Sequence, residues 1–375
     1  LFFATKLFTE TFVCCVLFSI SKELDAGDGI LLGVPCFGII FRLELSFRTD
    51  PSDSSYFLSE WLSLCMTKTY FGGKMRKILS ILVVLTIALV ASSPGCAQPA
   101  GAITGIDDNN RPICIENAPQ RILSLAPSST EILFALGLGD RVVGRTDFCN
   151  YPPAAGTLPS VGSPFSGFNL ELIVDLDPDI VFSVAGTIVN ELDNLNLTVV
   201  VLQPNDIPAV FRDIQIVGEI TGKQREAERL VSSLEKRVNV IIEKTAKVTE
   251  KPLVFYEVDG TDPTKPWTTG SGTFQDSLIT LAGGKNIAAG TSSWYQMNVE
   301  AIIEANPEII VLEDARYGMT AEMVAARSGW GNITAVKGES IYPISNADIT
   351  SRQSPRIVDG LEEIARIIHP ELFPG

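Results

Sequence analysis

Histidine is almost missing from this sequence: its one copy, His369, stands six places from the C-terminus. A Ser-His-acid triad or a zinc centre would have to be built on it, and its position reads as that of a tail residue. No Gly-x4-Gly-Lys-Ser/Thr segment occurs, which argues against nucleotide hydrolysis through a P-loop. No dinucleotide fingerprint occurs either; Gly137 and Gly139 follow a helical pattern, where glycine marks a helix stop. Basic residues are scarce: 29 Lys and Arg stand against 44 Asp and Glu, for a formal charge of −15. Residues 1–95 hold eight of each sign, so the whole acidic excess lies beyond them. Such a surface lacks the basic footprint that nucleic-acid binding needs. Of seven cysteines, only Cys114 and Cys149 follow Cys96. In an oxidising compartment these two are candidates for a disulfide, with two separate thiols as the other reading.

What the sequence does have is one stretch in two copies. Residues 169–182 read NLELIVDLDPDIVF and residues 298–311 read NVEAIIEANPEIIV. Asn169 aligns with Asn298, Glu171 with Glu300, Ile173 with Ile302 and Pro178 with Pro307. Each copy predicts a short helix capped by its Asn, with a Glu at the positive end. A proline-marked turn and a buried strand of β-branched residues follow. A spacing of about 130 residues is far beyond the roughly 20–50 of a solenoid repeat, and fits two similar lobes.

The front end has the layout of an export signal. Met75-Arg76-Lys77 precedes an apolar run from Ile78 to Ala91 and the small residues before Cys96. A basic start, an apolar core of about 14 residues and a small-residue site describe a secretory signal. The run is short of the about 20 residues of a membrane span. Residues 75–95 are therefore expected to be a lipoprotein-type signal, with Cys96 lipidated. Ser93 departs from the usual Leu of that pattern, and Ala100-Gly101-Ala102 offers a soluble-secretion site instead. Residues 1–74 are read as an over-extended start, an added membrane segment being the competing view.

Residues 96–111 read as a tether, with a hairpin turn at Asp107 to Asn110 opening the first lobe. Residues 112–222 form that α/β lobe. Within it, Arg121 to Ala126 is a strand, and Ser128-Ser129-Thr130-Glu131 offers a capping box for the next helix. Residues 223–250 form one long helix: Ala227, Leu230, Val231, Leu234, Val238, Ile241 and Ile242 recur at spacings of three and four. Residues 251–375 repeat the α/β plan. Strands alternating with helices predict parallel-type sheets flanked by helices.

Conventional catalytic groupings are thin, whereas aromatics in loops are not. In open α/β sheets ligands sit beyond the carboxyl ends of the strands. Phe148, Tyr151 and Phe165 fall in such loops of the first lobe, Trp267 and Trp294 in those of the second. Aromatic walls hold a large flat ligand through buried area and stacking, although aromatics more often simply pack. Arg352, ahead of the final helix, is placed to meet polar ligand groups. Trp294 and Arg352 are the strongest candidates.

The string RILSLAPSSTEILFALGLGDRVVGRTDFCNYPP, followed by GFNLELIVDLDPDIVF, resembles the substrate-binding proteins of ATP-binding-cassette (ABC) importers for cobalamin, siderophores and haem. The likeness runs from about Pro112 to Phe373. It implies two α/β lobes joined by one rigid helix, with ligand in the cleft between them. The cobalamin binders are the nearest likeness, by the stretch ending Asn150-Tyr151-Pro152-Pro153. By that resemblance Phe148, Phe165, Trp267 and Trp294 line the cleft and Arg352 contacts ligand, while Val184 stands where a cobalamin binder can have Trp. Glu171 and Glu300 match the pair that docks, one per lobe, onto arginines of the permease dimer. The resemblance thus implies no catalysis and no cofactor of the protein's own. It implies a cobalamin-like or iron-chelate cargo, a permease with its ATPase as partner, a monomer, and a lipid-anchored place outside the cytoplasmic membrane. Ferric siderophores and haem are the rival cargoes; an extracellular sensor or enzyme is the rival class.

Overall fold

The computed structural model describes residues 103–374; the expectations for the over-extended start, the signal segment and the lipidated Cys96 lie outside them. The chain opens with an antiparallel hairpin, β1 (Ile103–Ile106) and β2 (Pro112–Ile115). Its turn is built on Asp107, whose Oδ1 accepts the backbone N–H groups of Asn109 and Arg111 at 3.0 and 2.8 Å. The other oxygen takes the N–H of Val201 at 3.1 Å and ties the hairpin to the lobe behind it. The first lobe therefore takes in residues of the segment read as a tether, because Ile103 and Ile113 join the apolar core.

Four short strands form the first sheet: β3 (Ile122–Ser124), β4 (Val142–Arg145), β7 (Ile180–Ser183) and β8 (Val199–Val201). A two-residue hairpin, β5 (Gly162–Ser163) and β6 (Gly167–Phe168), stands apart. The sheet order is β4-β3-β7-β8 and every pairing is parallel. Alternate residues serve opposite faces. Ile122, Phe182 and Val200 join one apolar cluster; Leu123, Val181, Val199 and Val201 join the other. Burial on both faces is why these strands read as continuous aliphatic runs. The flanking helices are α1 (Pro127–Ala135), α2 (Leu170–Asp175), α3 (Thr187–Asn194) and α4 (Ile207–Thr221).

The capping box expected before α1 does not form. Proline starts the helix at Pro127, Ala126 is the N-cap, and no side chain caps it. The Thr130 hydroxyl instead donates back to the Ala126 carbonyl at 3.1 Å. Glu131 is left one turn inside the helix and buried.

Helix α5 (Gln224–Thr245) has 22 residues and spans about 33 Å at 1.5 Å per residue. Ala227, Val231, Leu234, Val238 and Ile241 are buried as the periodicity predicts; Ile242 is not, being 39% exposed. Toward the first lobe, Gly218 of α4 approaches so closely that an added Cβ would lie 2.4 Å from that of Ala227. Toward the second, Thr245 donates its hydroxyl to the Leu281 carbonyl at 3.1 Å. One apolar cluster includes Val217 of the first lobe, α5, and Ile364 of the second. The helix is thus the connection expected, embedded in both lobes.

The second sheet departs from a purely parallel plan. Its strands are β9 (Leu253–Asp259), β10 (Trp267–Thr269), β11 (Lys285–Asn286), β12 (Trp294–Gln296), β13 (Ile309–Leu312) and β14 (Ile341–Pro343). β14, β13, β9 and β11 are parallel, while β10 runs antiparallel to β9 and the edge strand β12 antiparallel to β10. The chain turns straight back after β9 without a crossover helix, which only an antiparallel neighbour permits. The remaining helices are α6 (Phe274–Leu281), α7 (Val299–Ala305), α8 (Ala321–Ala325), α9 (Thr334–Lys337), α10 (Asp348–Ser351) and α11 (Ile357–Ile368). Arg237 of α5 bonds Asp359 and Glu362 of α11 at 2.6 and 2.8 Å.

Two further expectations are corrected. His369 is no loose tail residue: it is the C-cap of α11, 4% exposed, with Nδ1 3.0 Å from Glu371. Cys114 and Cys149 do not pair. Cys114 is disulfide-bonded, whereas Cys149 is a free buried thiol whose Sγ lies 3.1 Å from the Thr146 hydroxyl of its own turn.

Candidate functional site

The duplicated stretch builds the same device in each lobe. Asn169 accepts the N–H of Leu172 at 3.0 Å, and Asn298 that of Glu300 at 2.9 Å, so both cap their helices. Asp177 and Asn306, aligned in the two copies, both take left-handed backbone, with φ of 44° and 48°, ahead of the prolines. Asp179 accepts the N–H groups of Gln120 and Arg121 at 2.7 and 2.8 Å; its counterpart Glu308 accepts that of Leu253 at 3.1 Å. Each acid thereby anchors the first strand of its lobe's main sheet. Glu171 and Glu300 have no such internal duty. Both are exposed in the first helical turn, and neither makes an ion pair among the described residues.

The first-lobe aromatics stand beyond the carboxyl ends of the strands. Phe148 lies in the turn after β4, and Phe165 at the tip of the β5–β6 hairpin, 88% exposed. Their rings meet edge to face, with centroids 5.6 Å apart. Asp147 holds this pair in place: it accepts from Ser160 at 2.6 Å and from Ser166 at 3.1 Å, joining the turn to the hairpin. Those hydroxyl bonds keep its carboxyl below the usual range. Sequence reasoning passed over Asp147 because its partners are scattered serines. Val184 follows β7 directly and is 36% exposed.

Trp267 and Trp294 lie in strands, not in the loops expected. Trp294 pairs with Thr269 and Trp267 with Gln296, so the two indoles share one face of the β10–β12 ribbon as diagonal neighbours. They are 43% and 48% exposed. Behind them, Glu257 at the end of β9 takes a bidentate grip from Arg327 at 2.5 and 2.7 Å. Asp314 accepts the Gly260 N–H at 2.8 Å, fixing the turn that leads to Trp267. Burial raises the carboxyls of both acids, as expected when charge is moved away from water. No ring contact joins the Phe pair to the Trp pair among the described residues.

Where the Phe148–Tyr151 loop meets the second lobe lies a cluster that sequence reasoning missed. Glu131, of the first lobe, accepts from Arg352 at 3.1 Å, from the Ser354 hydroxyl at 2.6 Å, and from Arg356 at 2.8 and 2.5 Å. All three donors belong to the second lobe. Arg352 also reaches back to Asn150 Oδ1 at 2.8 Å, and pairs with Asp348 at 2.8 Å. The Arg356 guanidinium lies over the Tyr151 ring, 3.7 Å from its centroid, a cation–π contact across the junction. Burial works against the Arg356 charge, and the Glu131 bonds outweigh it, so its pKa is raised. Arg352 thus lies beside Phe148 and Asn150 and is engaged with protein groups. A carboxylate followed directly by Ile132, Leu133 and Phe134 was the available signal, since such a group must find partners.

Among the described residues no group of three or more His, Cys, Asp or Glu could hold a metal ion. No helix among them is long and apolar enough to cross a membrane. A cavity of about 380 Å³ lined by Tyr342, Glu363 and Arg366 includes none of the predicted ligand residues.

Comparison with known proteins gives a consistent picture. A profile of the family described as "Periplasmic binding protein" matches residues 122–347. A Bacillus subtilis ABC transporter substrate-binding lipoprotein, YvrC, itself uncharacterized, is 34% identical over 80% of this chain and 99% of its own. The cobalamin-binding protein of Halobacterium salinarum is 30% identical over 78% of this chain and 85% of its own. A solved structure from Staphylococcus epidermidis, described as a possible iron-binding periplasmic solute-binding protein, is 27% identical. It superposes with a TM-score of 0.59, covering 68% of this chain and all of that one.

Proposed function

Because the chain belongs to the periplasmic binding protein family, we propose that it captures a corrinoid of the cobalamin type between its lobes and hands it to an ABC permease. As a substrate-binding protein of an importer of the cobalamin, siderophore and haem type, it is not an enzyme. Its work is to hold a ligand and present it.

The observation that carries the corrinoid reading is the pairing of exposed aromatics on each lobe. Phe148 with Phe165, and Trp267 with Trp294, provide stacking surfaces too exposed to be core residues. Such surfaces suit a broad ring. The name of the Halobacterium relative points the same way. The iron-binding description of the Staphylococcus structure favours a ferric chelate as the second reading.

Glu171 and Glu300 then serve as the docking contacts, one carboxylate on each lobe for one subunit of a permease dimer. The protein acts outside the cytoplasmic membrane, held there through a lipid anchor. The test is uptake. Cells lacking their own cobalamin-binding lipoprotein, supplied with this chain and its permease and ATPase, should regain import of labelled cyanocobalamin. Import of ferric hydroxamate or haem in its place would move the cargo to iron.

A further inference from the structure

We infer that Glu131 determines which ligand class the cleft accepts, by cancelling the guanidinium charge that a carboxylate-bearing ligand would need. The inference rests on the proposed function, and it concerns the charge of the ligand's rim rather than its ring.

The balance of charge follows from the contacts. At the lobe junction Arg352 and Arg356 face Glu131 and Asp348, two charges of each sign within ion-pair distance. Beyond Asp348, Arg316 lies 3.7 Å away and also meets Glu313 at 4.0 Å, so that neighbour adds no excess. Beside Phe148, Asp147 stands near Arg145. The charges named on the Phe148 side therefore sum to no net positive charge, although four arginines are present.

Glu131 is the deepest member, with a side chain 2% exposed. It uses both oxygens on the second lobe, so Arg352 and Arg356 have little field left for an anion. A ligand rimmed by neutral amides loses nothing in such a site. One rimmed by carboxylates, such as haem with its propionates, would desolvate charge without meeting a free counter-charge. Negative selection of this kind discriminates as well as an added contact does.

The experiment is a titration of cyanocobalamin and of haem into the wild type, Glu131→Gln and Asp348→Asn. Each variant removes one negative charge and keeps the side chain's shape. The expected result is a rise of about tenfold in haem affinity relative to cyanocobalamin, the size of a unit charge acting over ~10 Å at an effective dielectric near ~20. The gain should shrink as salt is raised. Asp348→Asn keeps the test decisive if Glu131→Gln fails to fold, because Asp348 is more exposed. A ratio that stays constant in the folded variants, or two affinities that fall together, overturns the inference. Preference of the wild type for haem would instead remove the proposed cargo, and the variant ratios would still report on the charge rule.

Discussion

Glu131 and Arg356 stand 225 residues apart in sequence and are joined by two hydrogen bonds, Nε to Oε2 at 2.8 Å and Nη2 to Oε1 at 2.5 Å. One residue belongs to each lobe, and both are nearly buried. Replacing Arg356 with Met should destabilise the protein by ~3 kcal/mol, because an acid built for two arginines is left with one. Urea unfolding measures this. A loss below ~1 kcal/mol would mean that the junction tolerates separation of the lobes.

Asp213 supplies a pH signature. It is fully buried on α4, and neither of its oxygens has a hydrogen-bond partner. Burial first, and then the neighbouring Asp108 charge, push its pKa from 3.8 to about 8. The folded state therefore prefers the protonated form. Its contribution is fully present below about pH 4, is lost as pH rises toward about 8, and is level above that. Asp213→Asn should be more stable than the wild type near pH 8, by ~1–3 kcal/mol, and show a flatter slope from pH 5 to 8. Equal slopes for the two proteins would place the titration elsewhere.

The docking pair is separable from ligand binding. Glu171→Ala combined with Glu300→Ala should abolish uptake in cells while leaving ligand affinity within about twofold, since exposed rim charges govern encounter more than cleft contacts. Lost affinity in the purified double variant would put those carboxylates to work within the lobes.

How much of this was legible depended on the range of the interaction. The duplicated stretch was readable because its Asn caps, its left-handed Asp177 and Asn306, and its prolines all act within a few residues of themselves. Helix α5 was readable because its buried face repeats at helical spacing. Trp267 and Trp294 were misplaced in loops because three-residue strands carry too little periodicity to announce an antiparallel edge. Glu131 was misread for the opposite reason. Ser128 to Glu131 has the local spacing of a capping box, but its carboxylate is held by residues more than 220 positions away. Cys149 resembled half of a disulfide only while its turn was unknown.

The indole pair offers a contrast between affinity and stability. Trp294→Ala should weaken ligand binding by ~2 kcal/mol or more, about thirtyfold, as an exposed aromatic anchor does. Its effect on unfolding should stay within ~1 kcal/mol, because the ring is 48% exposed. Trp267→Ala should behave alike. Unchanged affinity in both would remove the β10–β12 ribbon from the ligand site.

What the cleft holds is read most directly by calorimetric titration of residues 97–375 with cyanocobalamin, haem and a ferric hydroxamate. Tight one-to-one binding of the corrinoid and much weaker binding of the other two is the expected result. Binding of an iron chelate alone, by protein shown to be folded, would contradict it.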